Sequence, residues 1–504
     1  MPTPHSSGIP ANLEQQRKRA RDLIRAARDG DPAALARIEA VRQDAGSARL
    51  LKLADAQFTV AREAGFESWP KLVADFQRRD MTAFCDAVRS GDIAATQFLL
   101  ASPHIRTRIN EPMFAFGQRA AHIAAPNAAM LTTLVAAGAD VNLKSDWANG
   151  PYTVLDNATE ETARVLLALG ATLTPNVAAR LGWLDQLRAL VNTDGALVHA
   201  RGGDGQQPLH EAATVAIADF LLDHGAGIDV RCIDHQSTPA QYALAERPDV
   251  CRFLLERGAV PDIFMAARLG DLALATHLLD TDPACAGARV NAPGYPPVPP
   301  LNTYCWSLGF GLSPHDVALK FGHRDVYDLL VARSPVRIRF MNAVLIGDEE
   351  SARAVLAADA SLLPSLTPSE HSHLAHAIFH ERFDAADLML RLGFDPAAPG
   401  IDGGSALHAA CWVGSVGLVE RLLARGSVAL DARDPTHQST PLGWAAFGSV
   451  HRRSAGADYP AVAGQLVAAG ADITAVGNGQ GRTLVAMAQG NPTMQAALRR
   501  LGAA

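Results

Sequence analysis

The sequence predicts an all-α solenoid in which about thirteen helix pairs stack in line behind a helical N-terminal cap. Three observations carry this expectation. The first is repetition. Pro208-Leu209-His210-Glu211-Ala212-Ala213 returns as Ala406-Leu407-His408-Ala409-Ala410, and Asp234-His235-Gln236-Ser237-Thr238-Pro239 returns as Thr436-His437-Gln438-Ser439-Thr440-Pro441. The second is a recurring closure, Leu221-Leu222-Asp223-His224-Gly225-Ala226 and Leu254-Leu255-Glu256-Arg257-Gly258-Ala259, with Ala136-Ala137-Gly138-Ala139-Asp140-Val141-Asn142 as a variant. A period of about 33 residues is too short for one unit to bury its own apolar face, so the core has to come from stacking. The third is composition: 48% hydrophobic but only 6% aromatic, as suits helices that approach closely through small residues.

Taken in order, residues 1–12 are expected to be disordered and residues 13–80 to form the helical cap. Within the cap, Gly30-Asp31-Pro32 stops one helix and starts another with Pro in its first turn. Gly65 ends a further helix, Ser68 caps the next, and Trp69 and Pro70 open it. Residues 81–481 are expected to be the repeat array. It carries a Pro-rich then aromatic insertion at 292–312 and a second at 448–460 that lengthens the turn within one repeat. Residues 482–504 lack the Gly-Ala-Asp closure and read as a C-terminal capping repeat. Some repeats start directly on a helix, as at Ala178-Ala179-Arg180-Leu181-Gly182 and Ala266-Ala267-Arg268-Leu269-Gly270, which marks modules of two to three repeats.

From Met81 onward the chain resembles the ankyrin family, whose repeat runs D-x-x-G-x-T-P-L-H-x-A-A-x-x-G and closes L-L-x-x-G-A-D-V-N. The preceding segment is similar to the helical stretch ahead of ankyrin arrays in many bacterial proteins. The physics agrees with the motif: Thr caps the first helix, Pro takes its first position, the Ala pair admits a close neighbour, and Gly permits the left-handed turn. The resemblance assigns His122, His210, His376 and His408, with His315 one place early, to the scaffold that ties neighbouring hairpins. Asp156, Gln241, Asp316 and Gly443 replace that histidine elsewhere.

The same resemblance places the two residues after the Ala pair in a concave groove. These are Thr214 and Val215, Ala245 and Glu246, Lys320 and Phe321, His380 and Glu381, Trp412 and Val413, then Phe447 and Gly448. Hairpin tips add His235, Gln236, His437 and Gln438. A groove rich in Trp, Phe, His and Glu suits a protein hot spot or a ligand pocket. The binding set expected is therefore Trp412, Phe321, Phe447, His380, Glu381, His235, His437, Trp306, Glu246 and Lys320. The function this implies is that of a cytoplasmic binding protein whose partner, a protein, lies along residues 235–450.

The alternative is a small-molecule or enzymatic site. It would use His380, Glu381, His235, His437 and Tyr304, joined by His315 and Asp316, inside a box of Trp306, Trp412 and Trp444. The plainer reading has Tyr304 and Trp306 pinning the 292–312 insertion, with Trp444 packed between repeats.

Other classes are excluded or disfavoured. A net charge of −7 argues against a nucleic-acid partner. The six cysteines show no C-x-x-C spacing and read as reduced, mostly buried thiols. The start has no apolar stretch behind its charges, and no run approaches the ~18 apolar residues of a membrane span, so a soluble protein without membrane contact is expected. His371, His373, His376 and His380 are close in sequence, but scaffold and turn roles claim them and no metal site is expected. His380-Glu381 and His210-Glu211 lack the second His of a zinc-protease motif, having Asp384 and Thr214 instead. There is no phosphate loop and no nucleophile elbow, and Gly477-Asn478-Gly479-Gln480-Gly481 is a hairpin tip. No cofactor is expected.

Overall fold

The computed structural model describes residues 12–41, 51–290, 302–426, 428–452 and 454–503. Among them every regular element is an α- or short 3-10 helix, and no strand forms. No helix among the described residues is long and apolar enough to cross a membrane. The chain divides into two compact units, one of residues 1–213 with 223–226, the other of 214–222 with 227–504.

The first unit opens on the helices Leu13–Arg28, Pro32–Glu39 and Leu53–Glu63. Of the segment expected to be disordered, residues 1–11 lie outside the described residues. Asn12 is an ordered cap: its side chain accepts the Gln15 amide at 2.8 Å while its own N–H donates to Gln15 Oε1. Asp31 caps the second helix with Pro32 in its first turn. The apolar stripes meet in a small core that includes Leu23, Ile24, Ile38 and Val60. Arg37 clasps both oxygens of Glu63 at 2.8 Å. Ser68 caps the next helix, which runs unbroken from Trp69 to Ser90 and so passes through residues 80 and 81 without a joint.

Short helix pairs follow, and at two joints a hairpin asparagine ties one pair to the next. Asn110 Nδ2 donates to the Gly138 carbonyl at 3.0 Å, and its Oδ1 accepts the Asp140 amide at 2.9 Å. Asn142 repeats the clasp on the Gly170 carbonyl at 2.9 Å and the Thr172 amide at 2.8 Å. Both halves of each side-chain amide are satisfied on the following hairpin, so the closing Asn is a bridge between repeats.

In the second unit, Thr238, Ser313 and Thr440 each cap a first helix with Pro behind them, and Thr367 does the same for the short helix Pro368–His371 that precedes the first helix of its repeat. One apolar core extends from Phe340 to Leu498, with Ala409, Ala410, Ala445 and Ala446 buried where successive first helices meet. The helix Ala406–Trp412 packs between His373–Phe379 and Pro441–His451.

Residues 448–460 differ from the expected long turn. The helix begun at Pro441 continues through Gly448 to His451, and Asp458 then caps Tyr459–Ala468. Glycine at 448 makes the extension possible, because a Cβ there would stand 2.5 Å from the Trp412 carbonyl oxygen. Of the 292–312 insertion, residues 292–301 lie outside the described residues. Its second part packs inward, with Tyr304 fully buried and the Thr303 amide donating to Ser237 Oγ at 3.0 Å.

Candidate functional site

Three successive first helices of the second unit, His373–Phe379, Ala406–Trp412 and Pro441–His451, each present one large ring at the same level. Phe379 and Trp412 lie parallel, their centroids 5.9 Å apart and their planes 5° from coplanar. Trp412 and Phe447 stack at 6.1 Å and 29°. Phe447, 36% exposed, leads to His451 at 4.1 Å. In the other direction Phe379 meets His380 at 5.4 Å, and His380 stacks on Phe310 at 6.0 Å and 13°. Phe310 meets Trp306 edge-on at 5.3 Å, and Trp306 lies 6.4 Å from His235. The rings form an unbroken strip from His235 to His451, in which Trp306 is 65% exposed.

One repeat is displaced by a residue from the sequence alignment. Glu381 occupies the left-handed turn at φ 59°, the place that Gly414 fills at φ 67° in the next repeat. Counting back from those turns sets Phe379, not His380, level with Trp412, and Ala375, not His376, level with the scaffold His408. His376 is therefore not a scaffold histidine; it is half-buried, and burial lowers its pKa to about 4. Glu381 does not stand free in a groove either. Its Oε1 accepts Arg452 at 2.8 Å and Ser454 Oγ at 2.7 Å, which anchors the turn after His451. Arg452 in turn lies over the Phe379 ring at 5.9 Å.

The remaining acid–base candidates occupy separate surroundings. Tyr304 is inside the protein, donating its hydroxyl to Asp262 Oδ2 at 2.9 Å; burial raises the pKa of both groups. Trp306 is not pinned but exposed. His235 Nε2 lies 3.4 Å from its neighbour Asp234. His437 is exposed at a hairpin tip, with Asp402 at 3.3 Å. His315 is fully buried between Ser334 Oγ at 3.1 Å and Asn342 Nδ2 at 2.9 Å.

Phe321 carries the Arg268 guanidinium over its face at 4.0 Å, and the ring that meets His380 is Phe310 instead. Lys320 Nζ donates to the Leu308 carbonyl at 2.7 Å, and Glu246 is exposed. His371 accepts the Asp395 amide at 3.2 Å, a partner His380 does not share.

The scaffold reading, a bond to the next hairpin, is met by His122 and His408. His122 Nε2 lies 3.1 Å from the Tyr152 carbonyl, and His408 Nε2 lies 3.1 and 3.3 Å from the Ala432 and Ser439 carbonyls. Burial lowers the pKa of both. His210 is fully buried and accepts the Gln207 amide at 3.0 Å. Trp444 is a core residue whose Nε1 donates to Asp434 at 2.9 Å.

Sequence reasoning passes over Phe310, Phe379 and His451. A signal for Phe379 exists. Aligning Phe383-Asp384-Ala385 on Val416-Gly417-Leu418, the starts of the second helices, sets Phe379 against Trp412, whereas aligning on histidines does not. Phe310 and His451 sit in non-periodic segments and have no such signal.

Comparison with known proteins agrees with the repeat architecture. A family model described as ankyrin repeats in three copies matches residues 176–265, and a single ankyrin repeat matches 402–435. Protein PhlB of Serratia liquefaciens is 38% identical over 69 residues, which cover 14% of this chain and 30% of that protein. The chain thus spans less than a third of the length of this relative. With caps, Ala pairs and scaffold histidines in their family places, the chain carries ankyrin repeats across 176–265 and again at 402–435.

Proposed function

We propose that this chain is a cytoplasmic binding protein that takes a protein partner along the ring strip of its second unit. Ankyrin repeats build protein-interaction modules, and in that fold the ends of the first helices face the concave groove. The observation that carries the reading is the level alignment of Phe379, Trp412 and Phe447 within a longer run of touching rings. Aromatic anchors bury large areas at little conformational cost, which makes them the usual hot spots of interfaces. The six unpaired cysteines support a reducing compartment. The acid–base alternative loses its support where Tyr304 is buried on Asp262 and Glu381 is paired with Arg452 and Ser454.

The test begins by immobilising the full chain and identifying what it retains. One purified partner is then titrated against wild type, Trp412→Ala and Phe98→Ala, the last removing a ring that is 78% exposed on the first unit. Trp412→Ala should weaken binding by about tenfold or more, and Phe98→Ala should not. The opposite result moves the working surface elsewhere.

A further inference from the structure

The left-handed turns that close the first helices set a common level along the second unit. Trp412 stands two residues before Gly414 at φ 67°, and Phe379 two before Glu381 at φ 59°. The same count from Gly270 at φ 67° and Gly322 at φ 81° selects Arg268 and Lys320. Between the two pairs, Gly347 selects Leu345, which is buried. The level that carries rings in the later repeats therefore carries cations in the earlier ones.

Both cations are positioned by neutral groups. The Arg268 guanidinium donates to the Ala245 carbonyl at 3.0 Å and lies over the Phe321 ring at 4.0 Å. The Lys320 ammonium donates to the Leu308 carbonyl at 2.7 Å and stands 5.6 Å from the centre of the same ring. Among the described residues neither forms an ion pair with a carboxylate. The later arginines differ: Arg382 meets Asp316 at 3.0 Å, and Arg452 meets Glu381 at 2.8 Å. Glu246, which follows Ala245, is exposed and makes no ion pair among the described residues.

A carbonyl accepts a hydrogen bond without neutralising the charge, and each cation keeps further N–H donors. Lys320 is exposed and Arg268 half-buried. The Leu308 carbonyl belongs to the segment that bears Trp306 and Phe310, so the cations adjoin the strip itself. The whole chain has a net charge of −7, opposite in sign to this place. Charges farther away than about 8 Å are largely screened at physiological salt, so the local cations decide what docks here.

We propose that the partner presents a short amphipathic peptide, its Asp or Glu side chains on Arg268 and Lys320 and its apolar side chains on Phe379, Trp412 and Phe447. This rests on the reading of the strip as the protein-binding surface and adds the chemistry of the partner. Carboxylates accept from Arg and Lys in short, charge-assisted bonds, and apolar side chains bury area on the rings. Cations and rings belong to different repeats, so the acidic and apolar residues are separated along the peptide.

The probe is a labelled peptide selected from a random library on the immobilised full chain. Its sequence should hold Asp or Glu apart from a cluster of Trp, Phe or Leu. Replacing its acidic residues by their amides should weaken binding to wild type by about fivefold, the size of one exposed charge pair, and by less at high salt. Lys320→Glu should weaken the acidic peptide to a similar degree and bind better the version with lysine in place of glutamate, a swap that a displaced Leu308 segment does not produce. If Lys320→Glu does not fold, the acid-to-amide ratio on wild type decides alone. No selected binder, binders without acidic residues, or amide peptides as tight as acidic ones overturn the inference. Where Trp412→Ala still abolishes their binding, the strip itself stands as the protein-binding surface. Trp412→Ala without effect removes that reading as well. Displacement of the peptide by a single-stranded oligonucleotide at physiological salt assigns the groove to nucleic acid and also overturns the inference.

Discussion

The indole of Trp412 lies parallel to the Phe379 ring, 5.9 Å away and 5° from coplanar, although the two residues belong to different repeats. Two neighbouring features hold this arrangement. Gly448 lets the lengthened helix approach the Trp412 carbonyl, and the Glu381–Arg452 pair brings the following turn over Phe379.

Gly448→Ala therefore tests the close approach. The added methyl meets the Trp412 carbonyl oxygen at 2.5 Å, with backbone on both sides and no side chain free to give way. Overpacking of this kind costs about 2 kcal/mol. Urea unfolding should show that loss, and near-ultraviolet dichroism should show altered aromatic packing. A variant as stable as wild type means the two helices separate without cost.

Glu381→Gly separates backbone strain from the ion pair. A non-glycine residue in the left-handed turn costs about 1 kcal/mol, which the substitution relieves. The Arg452 pair it removes is about one-third exposed and contributes about 0–1 kcal/mol. Global stability should stay within about 1 kcal/mol of wild type. Amide exchange in residues 454–458 should nonetheless accelerate, because the carboxylate that holds Arg452 and Ser454 is gone. Unchanged exchange there would show that the turn does not depend on Glu381.

His408→Ala removes the imidazole that bridges Ser405 to the carbonyls of Ala432 and Ser439. The orphaned groups are buried, so a loss of about 1–3 kcal/mol is expected in chemical denaturation. Trp444→Phe, which leaves an Asp434 oxygen without its indole donor, should lose a similar amount and leave the strip rings in place. If either variant keeps full stability and loses partner binding, that residue belongs to the working surface.

Stability should also fall with acid. His122, His315, His376 and His408 all have pKa values lowered by burial, His315 and His376 to about 4. The unfolded chain takes up these protons near pH 6.5 while the folded chain resists them. The stability is therefore fully present above about pH 6.5 and is lost as the pH falls toward 4. For the fully buried His315 the loss is about 1.4 kcal/mol per pH unit in that window. Asp156 and Asp262, raised by burial, act in the opposite sense. Urea midpoints should be lower at pH 5 than at pH 7.5, and equal midpoints would count against neutral buried histidines.

The sequence by itself determined the helix-pair architecture, the capped starts at Ser68, Thr238 and Thr440, and the scaffold roles of His122 and His408. These depend on interactions within a few residues or on a regular period, and so leave a readable pattern. Only the tertiary structure decided which rings meet. Phe379 reaches Trp412 because Glu381 takes a turn that other repeats give to glycine. Phe310 reaches His380 from a non-periodic segment, and Arg452 reaches Glu381 across 71 residues. The physical reason is that caps and periods are local, whereas the level at which one repeat meets another is set by packing between chain segments that the period does not relate.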